Sequence, residues 1–129
     1  MFDWKKPTAQ MLGRWQPWHA GHTELFKRIL DEHGQVCIMV RDVQHADAGM
    51  GNTDNPWNFN DVRLGIVNAL IEENYIHSTH YIIMHVPNIV DISYGRGVGY
   101  TFTEHDLDKD IQAISATKIR AEMRAKGEL

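Results

Sequence analysis

The stretch Gly13-Arg14-Trp15-Gln16-Pro17-Trp18-His19-Ala20-Gly21-His22 decides how the rest of the chain is read. A short apolar run, Ala9 to Leu12, leads into it, and an amphipathic helical pattern follows. Strand, tight turn and helix in that order aim unpaired backbone N–H groups and a helix N-terminus at one spot, which favours an anion. His19 and His22 share nearly the same side of the helix start by their spacing. Gly21 between them has no side chain to block a close approach. Such a set suits a polyphosphate: imidazole N–H groups donate to phosphate oxygens, and a protonated ring offsets charge growing on them. Zinc is a poor alternative for the pair, because no cysteine stands nearby and no His-Glu-x-x-His helix is present.

The flanking sequence alternates strand and helix patterns. From Ala20 to Glu32, Leu25, Phe26, Ile29 and Leu30 make one apolar helical face, and Gly34 is a stop signal. Gln35 to Asp42 holds Val-Cys-Ile-Met-Val, the continuous apolar run of a strand buried on both faces. Gln44 to Pro56 reads as a long loop, expected to close over the bound ligand. Asn58 or Asn60 can cap a helix that runs to about Glu73, with Val62, Ile66, Val67, Leu70 and Ile71 inward. Thr79 to Val86 is a third strand, ended by Pro87, and the β-formers of Val98 to Thr103 suggest a further one. Ser115 can cap a last helix through Lys126, with Ile119 and Met123 inward and Gly127 at its end. The pattern predicts an α/β protein: an open parallel sheet of about four to five strands with helices on both faces, its sites at the carboxyl ends of the strands. Residues 1–129 read as a single domain.

Composition narrows the function classes. Apolar residues make up 43% and charged residues 23%, and the formal net charge of −4 argues against a generic nucleic-acid surface. No apolar run approaches the roughly 20 residues that span a bilayer. Met1 to Pro7 lacks the apolar core of a signal peptide, so a cytoplasmic protein with no membrane partner is expected. Cys37 is the one cysteine and reads as a buried small hydrophobe, which leaves no disulfide framework and no cysteine-based metal site. A homo-oligomer is left open.

A second anion-binding pattern stands near the other end: Ile114-Ser115-Ala116-Thr117-Lys118-Ile119-Arg120. Read alone it is a capped helix start. Coupled to the first motif, it presents two hydroxyls, a lysine and an arginine that can bind phosphate bidentately.

The two stretches resemble the signatures of the nucleotidyltransferase superfamily (cytidylyltransferase-like), His-x-Gly-His and Ile-Ser-x-Thr-x-x-Arg, in the expected order. The longer form of the first looks most like the archaeal type of nicotinamide-nucleotide adenylyltransferase. Asn55-Pro56-Trp57 and Asp61-Val62-Arg63 also resemble elements of that branch. The resemblance implies a Rossmann-like sheet and transfer of a nucleoside monophosphate from ATP or CTP to a small phosphorylated acceptor. Attack on the α-phosphorus is in line, pyrophosphate leaves, and no covalent enzyme intermediate forms. By this resemblance His19, His22 and Arg120 act in catalysis. Gly13, Arg14, Trp15, Gln16, Gly21, Ser115, Thr117 and Lys118 bind the nucleotide. Mg²⁺ is carried mainly by the nucleotide phosphates, with few direct protein ligands. Asp42 and Arg96 are candidates for the acceptor side, as they stand near the carboxyl ends of strands.

The sequence departs from the archaeal branch after Pro87, where that branch is longer before its second signature, and this leaves the acceptor open. Gly95-Arg96-Gly97-Val98-Gly99 is a poor dinucleotide fingerprint, since no helix pattern follows at once. His45, His77, His80, His85 and His105 are scattered and carry no assigned role, and Trp57 beside its proline reads as packing. Two other readings compete with an enzyme of this kind: a non-catalytic nucleotide-binding regulatory module on the same fold, and a sulfate- or phosphopantetheine-directed relative.

Overall fold

The computed structural model describes residues 1–44, 54–97 and 99–129. Its elements are β1 (Ala9–Gly13), α1 (Ala20–His33), β2 (Val36–Arg41), α2 (Phe59–Glu72), β3 (Tyr81–Val86), α3 (Lys109–Gln112) and α4 (Ala116–Ala125). The strands form one parallel sheet in the order β1-β2-β3, with Met11 beside Ile38 and Ile38 beside Ile83. This is the expected Rossmann-like α/β arrangement, with three strands among the described residues rather than four to five. Residues 99–103 form no strand, and Tyr100 and Phe102 are 69% and 62% exposed. Their β-forming side chains have no neighbouring strand to pack against, and packing is most of what strand preference measures. The expected closure of the loop from Gln44 to Pro56 falls largely on residues 45–53, outside the described residues, as does Val98.

The helix ends follow local chemistry. α1 stops where Gly34 turns left-handed at φ 83°, its N–H donating to Leu30 O. Asn58, not Asn60, caps α2: its side chain accepts from Asp61 N at 2.9 Å, and Asp61 returns the bond to Asn58 N. Val62, Ile66 and Leu70 point inward as the spacing predicts, but Ile71 is 50% exposed because it lies one residue off the stripe.

Alternation along the strands fixes where the core sits. Met11, Val36, Ile38, Val40 and Tyr81 share one face of the sheet, and Phe26 and Ile29 of α1 and Val62, Ile66 and Leu70 of α2 pack against it. Both long crossover helices therefore cover the same face, whereas the alternating pattern suggested helices on both. The opposite face carries Leu12, Met39, Met84 and Val86, all half-buried, and Arg41 at the end of β2.

Candidate functional site

The first motif leaves the carboxyl end of β1 and enters α1. At Trp15 the backbone takes the left-handed region, φ 54°, and the indole folds back over Gly13. A Cβ at Gly13 would lie 2.7 Å from that ring, so only glycine fits there. Trp15 Nε1 donates to Met39 O at 3.0 Å, tying the turn to the central strand. Trp18 Nε1 donates to Thr23 Oγ1 at 2.9 Å. Trp15, Trp18 and His22 pack with ring centroids about 5 Å apart.

His19 and His22 build the helix start themselves. The backbone N–H of Gly21 donates to Nδ1 of His19, and the backbone N–H of His19 donates to Nδ1 of His22, both at 3.0 Å. This is a capping box in which imidazoles stand where a hydroxyl and a carboxylate usually do. The rings stack with centroids 3.6 Å apart. A Cβ at Gly21 would lie 2.8 Å from His19 Cε1, so the glycine is what lets the ring sit over the first turn. Because each Nδ1 accepts, each neutral ring carries its proton on Nε2. Burial, and then the neighbouring His19, push His22 down to about 3, and burial lowers His19 as well. At neutral pH the pair in this state is thus two Nε2–H donors beside a helix N-terminus, rather than the charged imidazolium the sequence allowed.

The second motif reaches this place through Arg120. Ser115 caps α4, its Oγ accepting from Lys118 N at 3.4 Å, and Thr117 and Lys118 are exposed. Ile119 and Met123 are only half-buried; the deepest residue of α4 is Arg120, 3% exposed. Its Nη1 donates to Gln16 O at 2.7 Å, and its Nη2 lies 3.3 Å from both Asp54 Oδ1 and Thr117 Oγ1. One guanidinium therefore joins the first motif, the start of α4 and the residue that leads into Asn55-Pro56-Trp57. Burial lowers the Arg120 pKa and Asp54 opposes that shift, so the group stays a cation.

The remaining candidates divide by what their side chains touch. Gln16 is 4% exposed and its amide pairs both ways with the Trp57 backbone, Nε2 to O and Oε1 from N, each at 3.0 Å. Arg14 Nη1 donates to Asn55 Oδ1 at 3.2 Å. Asp42 lies on the carboxyl edge of the sheet, with Oδ2 3.3 Å from His85 Nε2, and His85 stacks on Phe59. Arg96 is exposed in the segment after β3 and belongs to no helix or strand. Sequence reasoning passed over Asp54, which has no motif of its own beyond preceding Asn55-Pro56-Trp57, and Arg41, which sits inside an apolar strand pattern.

The parallel three-stranded sheet is the Rossmann-like arrangement that the resemblance to the nucleotidyltransferase superfamily implies. No family model matches the chain. Against known proteins it is 31% identical over 79 residues to a nicotinamide-nucleotide adenylyltransferase of Thermoplasma volcanium, a match covering 61% of this chain and 41% of the relative. Those of Thermoplasma acidophilum (33% over 69 residues) and Methanococcus aeolicus (30% over 67) match 54% and 52% of this chain. The match spans about two fifths of the length of these relatives. The chain is thus similar to archaeal adenylyltransferases over roughly half of itself.

Proposed function

We propose that this chain is a nucleotidyltransferase that moves a nucleoside monophosphate from a triphosphate to a small phosphorylated acceptor and releases pyrophosphate. The observation that carries the reading is the Arg120–Gln16 bond, which sets the second motif against a helix start that presents two neutral imidazole donors. ATP is the donor we favour over CTP, because the relatives are named adenylyltransferases and the acceptor in their name is a nicotinamide nucleotide. For this chain the acceptor is taken only as a phosphomonoester.

The chemistry asked of the protein is positioning and charge stabilisation. Nε2–H of His19 and of His22 donate to the oxygens around the α- and β-phosphates, where negative charge grows as the bond to pyrophosphate breaks. Arg120, with Ser115 and Thr117, holds the departing β- and γ-phosphates, and Lys118 adds charge at the rim. Among the described residues no group of three or more His, Cys, Asp or Glu could hold a metal ion. In this reading Mg²⁺ would arrive with the triphosphate and neutralise phosphate charge. No helix among the described residues is long and apolar enough to cross a membrane.

The test is pyrophosphate release from ATP and from CTP with Mg²⁺, across a panel of phosphorylated acceptors that includes nicotinamide mononucleotide. Turnover with at least one pair, lost in His22→Ala, is expected. Tight triphosphate binding with no turnover on any acceptor would replace the enzyme with a nucleotide-binding regulatory module.

A further inference from the structure

The two arms of the Arg120 guanidinium are held differently. Nη1 donates to Gln16 O at 2.7 Å, a short bond to a backbone carbonyl of the first motif. Nη2 lies 3.3 Å from Asp54 Oδ1 and 3.3 Å from Thr117 Oγ1, both long for a charge-assisted bond. The first arm is therefore a structural tie. The second meets a carboxylate side chain that is 57% exposed, although the arginine itself is buried. The next residue, Asn55, accepts from Arg14 Nη1 at 3.2 Å through its Oδ1. Asp54 and Asn55 thus reach one guanidinium of each motif. Charge around the outer arm is unbalanced. Burial lowers the Arg120 pKa and Asp54 raises it, while Arg14 and Arg124 lower it by their like charge. Three guanidiniums lie within electrostatic reach of one another and of Asp54, so an anion with more charge than a carboxylate balances them better.

We propose that Asp54 holds the Nη2 arm of Arg120 in exchange with the departing phosphates: a triphosphate displaces the carboxylate on entry, and the carboxylate returns as pyrophosphate leaves. This rests on the transfer reading above and adds a residue which that reading does not use. An ion pair to an exposed carboxylate at 3.3 Å is weak, so little is lost when a phosphate oxygen takes its place. The incoming group brings more charge and more acceptor oxygens to the same nitrogen. Nη1 stays on Gln16 O throughout, so the second motif keeps its position while the partner of Nη2 changes. Once displaced, Asp54 is a like charge beside the bound phosphates. It weakens triphosphate and pyrophosphate binding alike and favours release of the product.

The experiment measures binding of pyrophosphate and of ATP, each with Mg²⁺, to the full chain by titration calorimetry with no acceptor present. Asp54→Asn keeps a side-chain oxygen for Nη2 and removes the charge. It binds pyrophosphate about five- to tenfold more tightly than wild type, and ATP more tightly as well. Glu128→Gln removes the same charge from an exposed site after α4 and changes neither affinity by more than about twofold. Unchanged or weaker pyrophosphate binding in Asp54→Asn overturns the proposal, because Asp54 would then hold Arg120 ready for the ligand rather than compete with it. Equal tightening in Glu128→Gln overturns it too, since overall charge would be the cause. Tighter pyrophosphate binding in Asp54→Asn, in a chain that transfers to no acceptor, would keep the exchange and remove the transfer reading. Wild-type turnover with pyrophosphate inhibition unchanged in Asp54→Asn would do the reverse.

Discussion

The two sequence motifs are held in place by different means. The first is braced by its own neighbours: Trp15 lies over Gly13, Trp18 bonds Thr23, and two imidazoles cap the helix they belong to. The second is a single turn of α4 whose Thr117 and Lys118 face solvent and whose position depends on Arg120, bonded to a carbonyl 104 residues away. Local bracing shapes the first motif, while Trp15 Nε1 on Met39 O and the Gln16 amide on the Trp57 backbone tie it to the rest of the fold. The second motif is only as well placed as one guanidinium. A residue that is expected to bind the leaving phosphates is therefore also the joint between the ends of the chain.

The sharpest way to break this contrast is Arg120→Ala. It removes the proposed phosphate ligand and leaves Gln16 O without its partner, an unpaired carbonyl worth about 1–3 kcal/mol. Turnover is expected to fall about 10³-fold or more, with a lower melting temperature, and Arg120→Lys to recover little of either because it lacks the planar fork. Steady-state kinetics beside thermal denaturation checks this. If stability falls but triphosphate binding does not, Arg120 is a joint only.

Next in size is a substitution that separates the cap from the donor. Asparagine is a good helix cap without an Nε2–H, so His19→Asn should keep stability within about 1 kcal/mol of wild type. Its kcat should nonetheless drop about 10²-fold, the usual cost of one lost transition-state donor. Wild-type kcat in this variant would show that His19 serves only as a cap.

The first motif also predicts how stability follows pH. His22 titrates near 3 in the folded chain against 6.5 for a free imidazole, so the unfolded chain binds the extra proton first as pH falls. The stability tied to a neutral His22 is complete above pH 6.5 and is lost progressively as pH falls toward about 3. Burial lowers His19 in the same direction. Melting temperature should thus decline below pH 6.5, and His22→Gln should flatten that decline. An identical acid limb in the variant would place the sensitivity elsewhere.

The smallest expected effect lies far from both motifs. Tyr81 is fully buried, its hydroxyl has no hydrogen-bond partner among the described residues, and burial pushes it up to about 12. Tyr81→Phe should leave stability unchanged or raise it by up to about 1 kcal/mol, because it removes a polar group that is desolvated without return. Clear destabilisation in denaturant melts would mean that the hydroxyl has a bound partner.

By itself the sequence determined what rests on a few consecutive residues. The strand–turn–helix order around Gly13 to His22, a cap at Asn58 or Asn60, the Ser115 cap, the Gly34 stop and the apolar stripes of α1 and α2 all follow from spacing, because their bonds close within about one helical turn. Only the tertiary structure decided that Arg120 turns inward to Gln16, that the Gln16 amide is spent on Trp57, and that both long helices share one face of the sheet. It also left Tyr100 and Phe102 outside the sheet, while Arg96 stays exposed in its loop. Periodicity reports which side of an element is apolar. It carries no signal for which carbonyl, far along the chain, a buried guanidinium will meet, since that partner is fixed by how the packed elements come together.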